Sequence, residues 1–307
     1  MPIALVYDRY GGPEVLALVD VPVPDPGPGQ LRIAVHSAGV NPVDWKMREG
    51  YLRERFPLAL PAVVGREASG VVDAVGPDVE GFTIGEPVFG GTTLGTFAEY
   101  ALLPVDNTTH KPPSVSHAVA SVLPVAGATA YDALSQLGIG PLDNVLVLGA
   151  GGGVGVAVVQ LARARGADVV GVAGAAKRSL VERLGALHVS STGDVADELQ
   201  RRAPAITAIV DLVGGTALRA VAPLLEDRRR LVTAADERTA AELGGSRVQR
   251  ANTAEVLDAV ATHVLAGDYD PHITATFALR DAASALATVE QGHSEGKVVI
   301  AVPRTPA

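Results

Sequence analysis

The sequence predicts an α/β chain that combines an irregular β-domain with a doubly wound parallel sheet. Three observations carry that expectation. Residues 1–120 hold short β-type runs broken by proline and glycine. Residues 124–262 alternate wholly apolar runs with amphipathic helical stretches. A glycine-rich turn joins the first such run to the first such helix.

In the first region Leu31, Ile33 and Val35 alternate with Arg32, Ala34 and His36, the two-residue period of a half-buried strand. Val63-Val64 and Val71-Val72 lie among Gly65, Gly70 and Gly76. The stretch from Val21 to Gly29 carries four prolines, which lack the ladder donor, so it reads as an edge followed by a turn. In the second region Val145–Leu148, Val169–Ala173, Ile206–Val210 and Leu231–Thr233 read as buried parallel strands. Helices are expected through Val158, Leu161 and Ala162, from Lys177 to Leu184 before Gly185, and from Thr253 to Leu265. A third region, from 263, holds a helix from Asp281 to Gln291 and a last strand, Val298–Val302.

The 307 residues are 48% apolar and 19% charged, which excludes disorder for most of the length and suffices for two cores. Lys and Arg number 25 against 34 Asp and Glu, a net charge of −9 with no basic run, so nucleic acid is not an expected partner. No stretch approaches the ~20 unbroken apolar residues of a membrane span. The start, Met1-Pro2-Ile3-Ala4 followed by Asp8 and Arg9, reads as lacking a secretory signal. The expected setting is therefore soluble and cytoplasmic. Cysteine is absent, which removes disulfides, thiolate nucleophiles and sulfur-based metal sites.

Residues 145–155 read VLVLGAGGGVG, with Ala150, Gly152 and Gly155 in the three small-residue positions of a dinucleotide fingerprint. Small residues there permit a tight strand-to-helix turn and let a pyrophosphate approach the N–H groups of a helix start, at Gly153 and Val154. An NAD site places a carboxylate at the end of the second strand to accept from the ribose hydroxyl. Here that end reads Ala173-Gly174-Ala175-Ala176-Lys177-Arg178, with two cations and no acid, and Asp168 lies at the strand's other end. Lys177 and Arg178 are thus the candidates for a 2′-phosphate, Gly174 is a further candidate cofactor-binding residue, and NADPH is the expected cofactor. The alternative is that both cations are ordinary solvated residues, although a helix start disfavours them.

Several stretches resemble the zinc-independent medium-chain dehydrogenase/reductases, closest to the quinone oxidoreductase and enone or enoyl reductase groups. They are VYDRYGGPEVLALVDVPVPDP (6–26), AGVNPVDWKMREG (38–50), GREASGVVDAVGPDV (65–79), GTFAEYALLP (95–104), LPVAGATAYDAL (123–134) and GKVVIAV (296–302). The resemblance spans nearly the whole chain, and residues 226–250 depart from it. It implies a GroES-like catalytic domain, 1–122 with 263–307, and an inserted Rossmann domain, 123–262, with cofactor in the cleft between them. A homodimer is implied by analogy.

By the same resemblance, Asn41 stands where zinc-dependent relatives have a cysteine and Arg66 where they have a histidine, which leaves Glu67 without its partners. The histidines (36, 110, 117, 188, 263, 272 and 293) show no ligand spacing, so no metal is expected. Lys46 matches a lysine that contacts cofactor and substrate in plant-type enone reductases. Asn41 and Lys46 are therefore candidate substrate-orienting residues, Asn41 by donating through its amide. Their alternatives are a turn residue before Pro42 and an idle surface ammonium. Thr129 resembles a family position near the cofactor, Val213 and Gly214 would line the ribose, and Thr233 and Ala234 the nicotinamide. Tyr51 and Tyr131 could donate a proton or stack, with core packing the favoured role. After Leu225, where the family has a Pro-Gly-Gly turn, this chain has Glu226-Asp227-Arg228-Arg229-Arg230; the three arginines read as solvated, with a phosphate-bearing carrier as the alternative.

The resulting expectation is hydride transfer from NADPH to a quinone or an α,β-unsaturated carbonyl, whose conjugation makes it electrophilic without a metal. A pathway-specific enoyl reductase and a catalytically idle NADPH-binding sensor are the alternatives.

Overall fold

A computed structural model describes residues 1–292 and 294–303; His293 lies outside the described residues. The chain divides into two compact units, one comprising 1–125, 252–261 and 273–307, the other 126–251 and 262–272. The first is a GroES-like β-unit and the second a Rossmann-like parallel-sheet unit.

The β-unit is organised around the strand Gln30–Val40, the segment whose alternation the sequence displays. Leu31, Ile33 and Val35 are buried while Arg32, Ala34 and His36 are half-buried. This strand sits in a seven-stranded sheet ordered Ile273–Ala278, Lys297–Ala301, Gln30–Val40, Glu67–Val75, Pro87–Gly91 and Thr108–His110, with Tyr100–Pro104 also paired to it. Val298 pairs antiparallel with Val40, and Ala301 with Ser37. The chain's last strand is therefore laid against its first third.

A second tie runs between helices. Arg48, fully buried, donates to both carboxylate oxygens of Glu290 (3.1 and 2.9 Å) and to the Gly11 carbonyl (3.0 Å). The proline-rich stretch is not itself the expected edge: Leu16–Asp20 before it forms the edge of a separate three-stranded sheet, residues 21–27 carry no strand, and a turn follows at 28–29.

The other unit has six parallel strands, ordered Leu187–Ser190, Asp168–Ala173, Asn144–Leu148, Ala208–Asp211, Leu231–Thr233 and Ser246–Arg247. In chain order this is 3-2-1-4-5-6, the doubly wound arrangement that binds dinucleotides at the carboxyl ends of the strands. Val145 to Leu148 are all buried, as a strand covered on both faces requires. The expected helix at 253–265 is Ala254–Ala266. Among the described residues one helical stretch, 117–136, is long and apolar enough to cross a membrane by composition, and most of it is buried within the protein.

Candidate dinucleotide and reductive sites

The glycine turn is built by close approach. Gly149 adopts φ +85°, so the left-handed residue of the turn precedes the fingerprint's Ala150. The N–H groups of Gly149 and Ala150 both donate to the Val172 carbonyl (3.0 and 3.1 Å), which fixes the turn to the second strand. A Cβ on Gly155 would lie 2.2 Å from the Gly149 carbonyl oxygen, so only glycine lets the helix pack onto the turn. Gly152 differs. The nearest atom to a Cβ there is 3.6 Å away, so the fold does not demand glycine at that position.

The helix Gly153–Ala164 begins at Gly152 with no side-chain cap and no acidic residue in its first turn. Gly152, Gly153 and Val154 are partly exposed. Uncapped N–H groups at the start of a twelve-residue helix attract an anion.

The Lys177 stem lies across this turn, its Cδ 2.5 Å from where a Gly151 Cβ would be. Lys177 ends a short 3-10 turn, Ala175–Lys177, that starts from Gly174, and Arg178 beside it is exposed. No carboxylate stands in this segment. Asp168 opens the strand and pairs with Arg163 (3.1 Å).

Two further strand ends are stiffened by a shared network. Asp211 Oδ1 accepts from the Val213 and Gly214 N–H groups (3.0 and 2.8 Å), and its Oδ2 accepts from Thr233 Oγ1 (2.6 Å). Thr233 Oγ1 in turn accepts from the N–H groups of Ala235 and Asp236. The Thr233 hydroxyl is thus committed within the protein, and what this strand end presents is Ala234, which is exposed. Val213 is 56% exposed and lies beside the glycine turn, its Cγ2 3.2 Å from a Gly149 Cβ position.

Thr233→Val removes one donor and one acceptor from a fully buried carboxylate network. It is expected to cost about 2–3 kcal/mol in urea denaturation. Wild-type stability in that variant would show the network to be dispensable.

Thr129 lies in a different environment. Its Oγ1 accepts from Arg250 (2.8 Å), whose Nε donates to buried Asp132 (3.1 Å), so it belongs to an ion-pair network. Tyr131 is half-buried, with the Arg165 guanidinium 5.2 Å from its ring centroid. Of the three arginines in the departing stretch, Arg229 pairs with Asp227. Arg230 donates to Asp143 (2.6 Å) and to the Thr207 carbonyl (2.8 Å), a structural anchor in place of an open phosphate site.

In the β-unit a second polar cluster surrounds Asn41. The helix Pro42–Arg48 starts after it, and Asp44 Oδ2 accepts from the Asn41 backbone N–H (2.8 Å). The Asn41 side chain is 3% exposed and engaged at both ends. Its Nδ2 donates to Glu67 Oε1 (2.7 Å), and its Oδ1 accepts from Lys297 Nζ (2.6 Å). Lys297 also donates to Glu67 Oε1 (2.9 Å) and to the Val40 carbonyl (3.2 Å). Glu67 Oε2 accepts from the Val125 N–H (2.7 Å).

Gly39 makes the cluster possible, since a Cβ there would fall 2.2 Å from Glu67 Oε1. Asp44 is buried, and its Oδ1 has no partner. Burial raises this carboxyl to about 7, against the lowering effects of the Asn41 N–H, Arg66 and Lys297.

Lys46 is half-buried on the same helix, its Nζ 5.7 Å from the Trp45 ring centroid. Tyr51, for which core packing was the favoured expectation, is instead 70% exposed, edge-on to Trp45 at 6.1 Å and hydrogen-bonded through its side chain to Glu49. It follows the helix end, where the Lys46 carbonyl holds its N–H.

Lys297 is the residue that sequence reasoning missed. The signal was a lysine opening an apolar run, VVIAV, read as a buried strand; a buried ammonium requires partners.

An open parallel sheet of this order, with a glycine turn and a bare helix start, defines a dinucleotide-binding fold, and a GroES-like β-unit accompanies it. The chain matches the Alcohol dehydrogenase GroES-like domain family over residues 27–113 and the Zinc-binding dehydrogenase family over 184–300. It is 32% identical to the mitochondrial NAD(P)H oxidoreductase RTN4IP1 of Bos taurus, over 97% of this chain and 89% of that one. It is 39% identical to the chloroplastic quinone-oxidoreductase QR1 of Triphysaria versicolor over 61% of this chain, and that match spans 60% of the plant protein. The native structure of a mycobacterial protein complexed with NADPH superposes with a TM-score of 0.86 at 27% identity, covering 98% of this chain and 100% of that one. The chain belongs to the medium-chain dehydrogenase/reductase superfamily, in its quinone oxidoreductase group.

The second family's description implies zinc, and the residues do not fit one. Asn41 and Arg66, which the resemblance sets opposite ligands of zinc-dependent relatives, carry an amide and a guanidinium; the Arg66 guanidinium lies 4.9 Å from the Phe56 ring centroid, and Glu67 is saturated by Asn41, Lys297 and Val125. Among the described residues no three His, Asp or Glu side chains converge as metal ligands. A nicotinamide dinucleotide does fit the other unit, where the helix start after Gly152 carries no side-chain cap and the nearest protein atom to a Gly152 Cβ would be 3.6 Å away.

Proposed function

We propose that this chain is an NADPH-dependent reductase of quinones or other conjugated carbonyl acceptors, acting as a homodimer in a soluble compartment, the cytoplasm. The observation that carries the reading is the Lys177 stem laid across Gly151, beside a second strand that ends without a carboxylate. Gly152, Gly153, Val154 and Gly155 would hold the pyrophosphate, with Ala150 buried beneath the turn. Gly174, Lys177 and Arg178 would hold the adenosine phosphate, and Val213, Gly214 and Ala234 the ribose and nicotinamide. When bound, the dinucleotide supplies a hydride.

The residues of the β-unit favour an acceptor that needs no Lewis acid. An amide and a guanidinium, Asn41 and Arg66, occupy the positions at issue, with the Lys297 ammonium against Asn41 and Glu67, so electrophilicity must reside in the acceptor's own conjugation. Lys46 with Trp45, and Tyr51 beyond them, offer a cation and an exposed aromatic surface, which suit a planar acceptor carrying carbonyl oxygens. The name of the Triphysaria relative agrees with a quinone. Purified protein mixed with NADPH should consume it when 1,4-naphthoquinone or an enone such as 2-cyclohexenone is added. No oxidation with either class of acceptor would end the reductase reading.

A further inference from the structure

The lysine in the middle of the Asn41 cluster performs a task that no side chain at a ligand position does. Lys297 Nζ is 3% exposed and faces three oxygen acceptors: Val40 O, Asn41 Oδ1 and Glu67 Oε1 at 3.2, 2.6 and 2.9 Å. An ammonium has three N–H donors, and here each has one acceptor. Glu67 is fully buried and has no other cation in hydrogen-bond contact among the described residues. Removing the ammonium would leave that carboxylate with only amide donors in a dry interior, an unfavourable state for a full charge.

We infer that Lys297 is a built-in cation, holding Asn41 and Glu67 around one fixed positive charge beside the residues that the resemblance sets opposite the ligands of zinc-dependent relatives. It is a positioning residue. The ammonium fixes which end of the Asn41 amide faces Glu67, since the flipped amide would set its NH2 against the lysine. Asn41 is the residue from which the helix bearing Trp45 and Lys46 departs. Glu67 also captures the Val125 N–H in the Leu123–Gly127 π-helical segment, so the same charge orders a second backbone stretch.

The effect on turnover rests on the reductase reading above; the effect on stability does not. The test uses the full chain as Lys297→Met, Glu67→Gln and the double variant, with urea and thermal denaturation, NADPH binding by fluorescence, and turnover with 1,4-naphthoquinone. Lys297→Met should lower the melting midpoint by ~5 °C or more. Adding Glu67→Gln should recover at least half of that loss, because the stranded carboxylate is then neutral. NADPH affinity should stay within about 2-fold of wild type while kcat falls about 10-fold or more, the split expected of a residue that orders the Asn41 helix and is no part of the glycine turn.

If Lys297→Met does not fold, a folded double variant gives the same support. A double variant no more stable than Lys297→Met, or wild-type kcat in Lys297→Met, would overturn the assignment. Wild-type protein inert toward every quinone would count against the reductase reading alone, and the stability comparison would still judge the cation.

Discussion

Gly155→Ala is expected to lose both stability and cofactor binding, whereas Gly152→Ala, three residues earlier, loses cofactor binding alone. The difference comes from what each missing Cβ would meet. At Gly155 it would lie 2.2 Å from the Gly149 carbonyl oxygen and 2.7 Å from Ala150 backbone atoms, none of which can move without opening the turn. Overpacking of that kind costs about 2–3 kcal/mol. It also displaces the helix start that would face the pyrophosphate.

At Gly152 the backbone is extended, with φ −89°, and the nearest protein atom to a Cβ is 3.6 Å away. An alanine there should change unfolding free energy by no more than about 0.5 kcal/mol. Its methyl group would stand on the exposed side of the turn, where phosphate must approach, and NADPH affinity should fall about 10-fold or more. Urea denaturation and NADPH fluorescence titration of both variants read the two effects separately. Wild-type NADPH affinity in Gly152→Ala would place the pyrophosphate elsewhere.

The second large effect concerns Asp44 and pH. Its carboxyl is raised to about 7 from an ordinary value near 3.8, chiefly by burial. A raised carboxyl pKa means that the folded state holds the proton more tightly than the unfolded state. The associated stability is present at low pH and is lost as pH rises from about 4 through about 7. Between pH 5 and pH 8 the wild-type protein should lose about 2–3 kcal/mol from this group. Asp44→Asn keeps an oxygen for the Asn41 N–H and carries no charge, so it should not show that loss. Urea denaturation of both proteins at the two pH values isolates the group, because other titrations cancel in the difference. An equal pH dependence in wild type and variant would mean that Asp44 is ionised in the folded protein throughout that range.

The parallel sheet was legible because burial on both faces writes itself as unbroken apolar runs. Val145–Leu148, Val169–Ala173 and Leu231–Thr233 emerge as strands at or within a residue of their structural bounds. The strand Leu187–Ser190 was not legible, being four residues long with a buried histidine, His188, inside it. Ile273–Ala278 is no more legible. It is an edge strand with alternate residues exposed, and Ala275 and Ala278 dilute its pattern. That the final strand Lys297–Ala301 pairs with Gln30–Val40 is a contact between segments some 260 residues apart, which no local periodicity encodes. Only the family resemblance anticipated it.

The site divides in the same way. The glycine turn and Lys177 were readable because their chemistry is local, a strand, a turn and a helix start in succession. The conformational role of Gly149 was displaced by one position from the fingerprint, which sequence spacing alone does not reveal. Asn41 was selected by its position in a motif. Its partners, Glu67 and Lys297, come from distant strands, so the commitment of its amide to them lay beyond sequence reasoning. Thr129 and Thr233 were also picked from motif positions, and their hydroxyls are engaged with Arg250 and Asp211, partners that sequence spacing does not disclose.

The most direct test of the account compares NADPH and NADH in steady-state 1,4-naphthoquinone reduction by wild-type protein and Lys177→Ala. The account predicts that wild type prefers NADPH, and that Lys177→Ala raises the KM for NADPH about 10-fold while leaving the KM for NADH nearly unchanged. Equal effects on both dinucleotides, or a wild-type preference for NADH, would contradict it.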